Sequence, residues 1–219
     1  MSGATIALLT PMANPTVERE MRHLLPDSCD YVVGRLVSAE LDSSKRLRAY
    51  GEDISVSLAQ FGIMPLSAIA FACTASSYLI GADGEDRIAA GLPLPVLWAA
   101  RTIRHTLQAM GARRIAVVSP YPDELHAAGL AYWRGAGFDV IAQHRVETGS
   151  ADTRSIYGLG SQAAREGLAA AKACAPDAVL LAGTGMPTLD LIDPAGNPPV
   201  ISSNHCLAAA MIAHSKAQP

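Results

Sequence analysis

The sequence has few charged residues and almost no net charge. Charged residues make up 17% of its 219 residues, and the formal net charge at pH 7 is −3. Nucleic acids and anionic membrane surfaces are bound through clusters of positive charge, which this composition does not supply. We therefore expect neither nucleic acid nor a membrane among the partners of this protein.

Long hydrophobic runs are also missing, although 50% of the residues are hydrophobic. No apolar run reaches the roughly 18 residues of a membrane-spanning helix. The first residues, MSGATIALLTPMANP, lack the basic start and the long apolar region of a secretory signal peptide. The sequence therefore predicts a soluble cytoplasmic protein.

Cysteine is scarce, and its spacing excludes the usual structural roles. The four cysteines are at positions 29, 73, 174 and 206, with no Cys-x-x-Cys pair and no cysteine–histidine spacing typical of a zinc site. Disulfides are rare in a reducing compartment. We therefore predict four free thiols and no metal site.

A nucleotide-binding motif is missing as well. The GLG at 158–160 does not follow a predicted strand, and the GTG at 183–185 lacks the third glycine and the acidic partner of a dinucleotide fingerprint. Gly183 and Gly185 either let the backbone approach a small ligand closely or form a tight strand-to-helix turn. We expect no nucleotide cofactor.

What the chain does have is a regular alternation of short β-rich runs and helical patterns. Strands are predicted at 5–9, 31–37, 66–72, 95–98, 114–118, 139–143, 178–182 and 199–201. Helices are predicted at 16–25, 43–61, 84–91, 99–110, 123–136, 161–174 and 205–215.

The second half of the chain repeats the rhythm of the first. This pattern predicts an α/β protein of two similar halves, each a parallel sheet flanked by helices, with the site between them. We expect residues 1–97 plus 202–219 to form the N-terminal half, which carries Cys73. Residues 98–201 are expected to form the C-terminal half, which carries Tyr121 and the 183–185 loop.

One stretch, LSAIAFACTASSYLIG at 66–81, places a thiol where a buried strand ends. The carboxyl ends of parallel strands form the ligand crevice of such folds, and backbone N–H groups in a loop of small residues can face an anion. A helix starting near Ser76 would lower the pKa of the Cys73 thiol. The pattern indicates a nucleophile, with a small buried packing residue as the alternative.

Polar residues also follow other predicted strands. Asn14 either binds a ligand carboxylate or forms an Asx turn before Pro15. Tyr121 either donates its hydroxyl to a carboxylate or is an amphipathic surface ring. Thr184 and Gly185 could offer backbone N–H groups to the same ligand. The Ser-Ser-Asn at 202–204 is predicted to cap the last helix.

Together these strand-end motifs resemble one known superfamily. AFACTASSYL at 70–79, the loop around Asn14, VVSPY at 117–121, and LAGTGM at 181–186 followed by PVISS at 199–203 are similar to motifs of the Asp/Glu racemase superfamily. Within it, they resemble the branch of maleate cis–trans isomerases and arylmalonate decarboxylases. The resemblance implies two pseudo-symmetric α/β halves around a cofactor-free site, with a cysteine available from each half.

Several positions match residues that have roles in that superfamily. Cys73 matches the first cysteine, which is the nucleophile of the isomerases, and Asn14 and Tyr121 match carboxylate-binding residues. The carbanion-stabilising pocket of the decarboxylases is matched by Thr74, Tyr121, Thr184 and Gly185. Ala75 replaces a hydroxyl residue of that pocket.

Gly183 departs from the pattern, because it stands where the second cysteine is expected. A two-base racemase needs an acid on each face of the carbon, so amino-acid racemisation is not expected. The resemblance implies an isomerase of a small unsaturated dicarboxylate such as maleate, in which Cys73 adds to the double bond without metal or cofactor. The runner-up is an arylmalonate-type decarboxylase in which Cys73 is the proton donor.

Two further alternatives stay open. Gly183 in place of a thiol is compatible with a non-catalytic carboxylate-binding protein on the same fold. A cysteine–histidine hydrolase would need a histidine beside Cys73, for which His205 is the candidate. His205 cannot pair with Cys206, because adjacent helical residues point about 100° apart. We expect a small carboxylic acid as substrate, and the apolar helix faces are compatible with a homo-oligomer.

Overall fold

The computed structural model describes residues 5–217, which form two four-stranded parallel sheets. The first has the order β2-β1-β3-β4 and the second the order β6-β5-β7-β8. The strands of the first sheet are β1 Thr5–Pro11, β2 Tyr31–Leu36, β3 Leu66–Phe71 and β4 Val96–Trp98. Those of the second are β5 Arg114–Ser119, β6 Asp139–Arg145, β7 Ala178–Leu181 and β8 Val200–Ser202.

Helices flank both sheets, which confirms the predicted fold class of two α/β halves. The helices are α1 Thr16–Leu24, α2 Ser43–Glu52, α3 Ile54–Leu58, α4 Thr74–Ala90, α5 Ala99–Ala109, α6 Asp123–Gly135, α7 Arg165–Ala173 and α8 Ser203–Ala217. Two 3₁₀ turns, Ala59–Phe61 and Thr153–Gly158, complete the regular structure. No helix in the described part of the chain is long and apolar enough to cross a membrane.

The central strands carry the core. In β1, β3, β5 and β7 nearly every residue is buried, because helices cover both faces of each sheet, and their sequences are accordingly continuous apolar runs. One hydrophobic cluster extends from Leu9 in β1 to Ile201 in β8 and so joins the two halves. A second cluster packs α1 and α8 against the first sheet.

The structure differs from the predicted elements at two helices. The helix predicted at 43–61 is broken at Asp53, and its N-cap is Asp42, whose side chain accepts from the Lys45 N–H. The helix after the cysteine loop begins at once at Thr74, not near residue 84. It kinks at Gly81, where φ is 73° and ψ is 169°, a conformation that glycine adopts without a Cβ penalty.

Helix α8 follows the last strand of the second sheet but packs against α1, α5, β3 and β4 beside the first sheet. The chain therefore returns to the first sheet after β8. The predicted division of the chain into two halves, with boundaries at residues 97/98 and 201/202, stays a prediction.

A close helix crossing allows one prediction about stability. A Cβ atom on Gly129 of α6 would lie 2.9 Å from Cε2 of Tyr78 in α4, and the Tyr78 ring is held by edge contacts with Tyr121 and Trp133. Gly129→Ala should therefore overpack this crossing and lower the free energy of unfolding by about 1–3 kcal/mol. Urea denaturation measures this loss.

Gly135→Ala is the matched control, because Gly135 lies in the same helix and a Cβ there would have no atom within 4 Å. Its free energy of unfolding should stay equal or rise by up to about 1 kcal/mol, since alanine favours helix over glycine. Equal unfolding midpoints for the wild type and Gly129→Ala would contradict this account of the crossing.

Candidate active site

A small cavity lies where the carboxyl ends of β1, β3, β5 and β7 meet, between the two sheets. Its volume is about 20 Å³, room for about one water molecule. It is lined by Pro11, Asn14, Leu47, Cys73, Ala75, Tyr121, Thr153, Ile156, Tyr157, Gly183, Thr184 and Gly185. The structure thus brings together every predicted site residue except Thr74, which is buried beside it. The roles of these residues stay predictions.

Cys73 is the residue before the first turn of α4, and its side chain is only 4% exposed. The Ser76 hydroxyl donates to its sulfur over 3.2 Å. Burial raises the pKa of the Cys73 thiol, and the Ser76 hydroxyl and the Ser76 and Ala75 N–H groups only partly oppose this. The expected lowering by the helix N-terminus is therefore present but outweighed, and the prediction of a low pKa is wrong. In the closed cavity the group is a thiol at neutral pH.

Thr74 and Tyr121 join the two halves directly. Their hydroxyl oxygens lie 2.6 Å apart in a buried hydrogen bond, in which either group can be the donor. Burial raises the pKa of Tyr121, and the neighbouring Cys73 raises it further, so the phenol stays neutral. Because Tyr121 is buried, the alternative of a surface ring is wrong.

Asn14 follows β1 and uses the two ends of its amide differently. Its Oδ1 accepts from the N–H groups of Thr16 (2.9 Å) and Val17 (3.3 Å), which is the Asx turn at the start of α1. Its Nδ2 has no acceptor among the described residues, and Asn14 lines the cavity. The two interpretations of Asn14 are therefore compatible, because the turn leaves the donor end free for a ligand.

Gly183 occupies the position in the second half that Cys73 occupies in the first. Each lies two residues beyond the end of its strand, β7 or β3, and these strands have the same place in their sheets. Gly183 has φ of 112°, and a Cβ there would lie 3.1 Å from Cδ of Pro120 and 3.5 Å from the Tyr121 hydroxyl oxygen. The backbone therefore favours glycine here, at the position where the resemblance implies a second cysteine.

The next two residues provide backbone donors. The Gly183 N–H donates to Ser203 Oγ over 2.9 Å, and the Thr184 hydroxyl donates to the Ala72 carbonyl over 2.9 Å. In the described part of the chain, the N–H groups of Thr184 and Gly185 donate to no protein acceptor. The predicted donors at Thr184 and Gly185 are thus free to meet a ligand.

A cover over the cavity was not predicted from the sequence. It consists of Leu47 from α2 and of the Thr153–Gly158 turn, a segment for which the sequence predicted neither helix nor strand. Arg46, only 5% exposed, connects the two parts, because its Nη2 lies 3.0 Å from Asp152 Oδ1 and 3.4 Å from Thr153 Oγ1. A Cβ on Gly185 would lie 2.7 Å from Cε1 of Tyr157, so the cover sits directly on the donor loop.

The remaining cysteines and His205 lie outside the cavity lining. All four cysteines are free; Cys29 and Cys206 are buried, whereas Cys174 is exposed. No histidine of the described chain lines the cavity, so the hydrolase alternative lacks its base. Within residues 5–217, no three His, Cys, Asp or Glu side chains are grouped closely enough to hold a metal ion.

Solved structures with the same fold include those of two kinds of enzyme. The maleate isomerase Iso from Pseudomonas putida S16 matches with a TM-score of 0.81 at 19% identity, covering 96% of this chain and 92% of that chain. A maleate cis–trans isomerase from Nocardia farcinica matches with a TM-score of 0.79 at 22% identity, covering 97% of this chain and 93% of that chain. Arylmalonate decarboxylase matches with a TM-score of 0.75 at 18% identity, covering 98% of this chain and 94% of that chain.

The search of curated proteins gave no match. The family model for arylmalonate decarboxylase, in contrast, matches residues 6–218. The strand-end motifs predicted this branch of the Asp/Glu racemase superfamily, and the match extends over almost the entire sequence. We conclude that the chain belongs to the arylmalonate decarboxylase family.

Proposed function

We propose that this protein is a cofactor-independent isomerase of a small unsaturated dicarboxylate such as maleate, with Cys73 as the nucleophile. The main support for this proposal is the set of hydrogen-bond donors around the Cys73 sulfur. It is the one thiol that lines the cavity in the described chain, and the Ser76 hydroxyl and two N–H groups at the start of α4 are directed at it. These donors stabilise the thiolate, which must form before addition and again when the product leaves.

The reaction is an addition followed by its reversal. The Cys73 thiolate forms a bond to one alkene carbon, and the electron pair of the double bond moves onto the other carbon and its carboxylate. The central bond is then single and can rotate. The electron pair returns, the C–S bond breaks, and the trans acid leaves with the thiolate restored.

Donors elsewhere in the cavity lining fit the charge that develops in this reaction. The N–H groups of Thr184 and Gly185, the Asn14 amide and the Tyr121 hydroxyl are available to a carboxylate that takes on enolate character. Each well-placed donor of this kind is worth about 3–4 kcal/mol in the transition state. The N. farcinica isomerase was solved as a cysteine-to-serine variant with a covalently bound succinylcysteine intermediate, which supports the same chemistry here.

Substrate entry requires the cover to move. A cavity of about 20 Å³ holds one water molecule and not a dicarboxylic acid. Leu47 and the Thr153–Gly158 turn must therefore separate when substrate binds, and the Arg46–Asp152 ion pair between them must break or lengthen.

Decarboxylation of a substituted malonate is the second candidate, and the raised pKa of Cys73 favours it. A protonated thiol is a proton donor, and the family model is that of arylmalonate decarboxylase. In this reaction the bond to one carboxylate breaks, CO₂ leaves, and the electron pair remains as an enediolate held by the same donors. The Cys73 thiol then protonates the carbon, and water restores the thiol.

The sign of the pH dependence should separate these two reactions. Addition needs the Cys73 thiolate, and because the pKa of the thiol is raised, kcat/KM for maleate should keep rising with pH beyond the usual range of cysteine pKa values. Decarboxylation needs the thiol, so kcat/KM for phenylmalonate should stay level over that same range and fall only where the pH passes the raised pKa of Cys73. Fumarate formation and CO₂ release, each followed from pH 6 to pH 10, measure the two profiles.

Replacing the sulfur tests the role of Cys73 itself. Cys73→Ser keeps the size of the side chain but replaces a thiol with a hydroxyl that hardly ionises. Turnover of the accepted acid should fall at least about 100-fold, while the unfolding midpoint in urea stays near that of the wild type. Cys174→Ser, at an exposed position, is the control and should keep full activity.

Near-normal turnover by Cys73→Ser would exclude both thiol mechanisms. Saturable binding of maleate or phenylmalonate, with turnover of neither by the wild type, would instead favour a non-catalytic carboxylate-binding protein.

A further inference from the structure

A buried carboxylate, that of Glu20 in α1, lies behind the donor loop of the cavity. Glu20 is only 1% exposed. Its Oε1 accepts from the N–H groups of Thr188 (2.5 Å) and Leu189 (3.2 Å), and its Oε2 accepts from Asn204 Nδ2 (2.8 Å). The Thr188 hydroxyl donates to both oxygens. Within residues 5–217 no cation pairs with it, so hydrogen-bond donors alone hold this carboxylate.

Asn204 connects Glu20 to the cavity wall. Its Nδ2 also donates to the Thr184 carbonyl over 3.0 Å. Its Oδ1 has no donor among the described residues, so the two acceptors of Nδ2 fix the orientation of the amide. The Glu20 carboxylate is one of these two acceptors.

The Thr184 carbonyl in turn determines where the Gly185 N–H points. Both belong to the same peptide unit, which is trans, and in a planar trans peptide the C=O and N–H point in opposite directions. Asn204 does not line the cavity, so its bond holds the Thr184 carbonyl away from the cavity. The trans geometry then leaves the Gly185 N–H on the cavity side. The Thr16 hydroxyl donates to the Gly185 carbonyl over 2.9 Å and holds the next peptide unit.

We propose that Glu20 is a positioning residue, which acts through Asn204 to aim the Gly185 N–H at the carboxylate of the substrate. The inference rests on the proposed function, but it is the same for isomerase and decarboxylase because both place developing charge on a carboxylate. Glu20 itself does not line the cavity.

Glutamine cannot replace glutamate here, although it has the same shape. Every partner of Glu20 is a donor, and an amide offers one acceptor oxygen and one donor NH₂ group. In Glu20→Gln the new NH₂ group has two possible arrangements. It either faces the donors that now bind Glu20, which leaves those hydrogen bonds unmade, or donates to Asn204 Oδ1. To accept this bond the Asn204 amide must rotate, and it then loses its bond to the Thr184 carbonyl.

The experiment compares kcat and KM of the wild type, Glu20→Gln and Glu18→Gln for the acid that the wild type turns over. Glu18→Gln is the same chemical change in the same helix, at a half-buried position outside the cavity lining where Glu18 pairs with Arg35. We expect kcat of Glu20→Gln, corrected for folded protein, to fall about 100-fold, the lower end of the loss when one such donor is removed. KM should change less than about threefold, and Glu18→Gln should match the wild type.

A double-mutant cycle separates positioning from general destabilisation. If Glu20 acts through Asn204, adding Glu20→Gln to the Asn204→Ala variant should cause almost no further loss of kcat. Additive losses in the cycle, or a kcat of Glu20→Gln equal to that of the wild type, would overturn the inference. If Glu20→Gln does not fold, Asn204→Ala alone must show the loss in kcat.

A binding measurement keeps this test distinct from the test of the proposed function. Turnover of neither acid by the wild type would overturn the proposed function alone. Malonate titrated into the ¹⁵N-labelled full chain should then still shift the Gly185 amide resonance in the wild type, and the shift should be lost in Glu20→Gln. A Gly185 resonance that malonate leaves unmoved, or moves equally in both proteins, would contradict the positioning role.

Discussion

The balance of forces on one sulfur atom, that of Cys73, governs the chemistry that we propose for this protein. Cys73 lies where β3 ends and α4 begins, so N–H groups and the Ser76 hydroxyl face the sulfur and favour its charged form. The same position is almost completely buried, and burial disfavours the charge more strongly. Under the proposed function, whether the group acts as a nucleophile or as a proton donor depends on how binding of an acid changes this balance. The other donors of the cavity lining fit both proposed reactions equally.

The two halves share a topology but not a chemistry. Both sheets have the same strand order, and Cys73 and Gly183 lie at corresponding strand ends. The first half supplies the sulfur, whereas the second supplies unpaired N–H groups, because the positive φ of Gly183 and its bond to Ser203 shape the loop for backbone donors. Under the proposed function, this asymmetry places an acid on only one face of the substrate carbon. Such an arrangement suits a reaction that adds and removes one group, or delivers one proton, on the same side.

The sequence predicted the fold and most of the cavity wall because both depend on local patterns. Apolar runs that end in small polar residues mark strand ends, and parallel strands bring those ends together. Three features depend on contacts between distant segments and could not be predicted: the Thr153–Gly158 cover, the Glu20–Asn204 link across 184 residues, and the raised pKa of Cys73. The Ser-Ser-Asn at 202–204 has one role that local sequence predicts and one that it does not. Ser202 caps the last helix, because its hydroxyl accepts from the His205 N–H. Ser203 and Asn204 instead bond to the backbone of Gly183 and Thr184 and so hold the donor loop.

Under the proposed function, closure of the cavity and ionisation of Cys73 are linked through the same desolvation. When the cover opens, water reaches the sulfur, and the cost of its negative charge falls, so the thiolate forms more easily in the open state than in the closed one. Under the isomerase proposal, the thiol must therefore lose its proton before or during closure over the acid. A decarboxylase would keep the proton through closure, since the dry cavity stabilises the thiol until the enediolate forms. The order of deprotonation and closure thus distinguishes the two reactions on one set of residues.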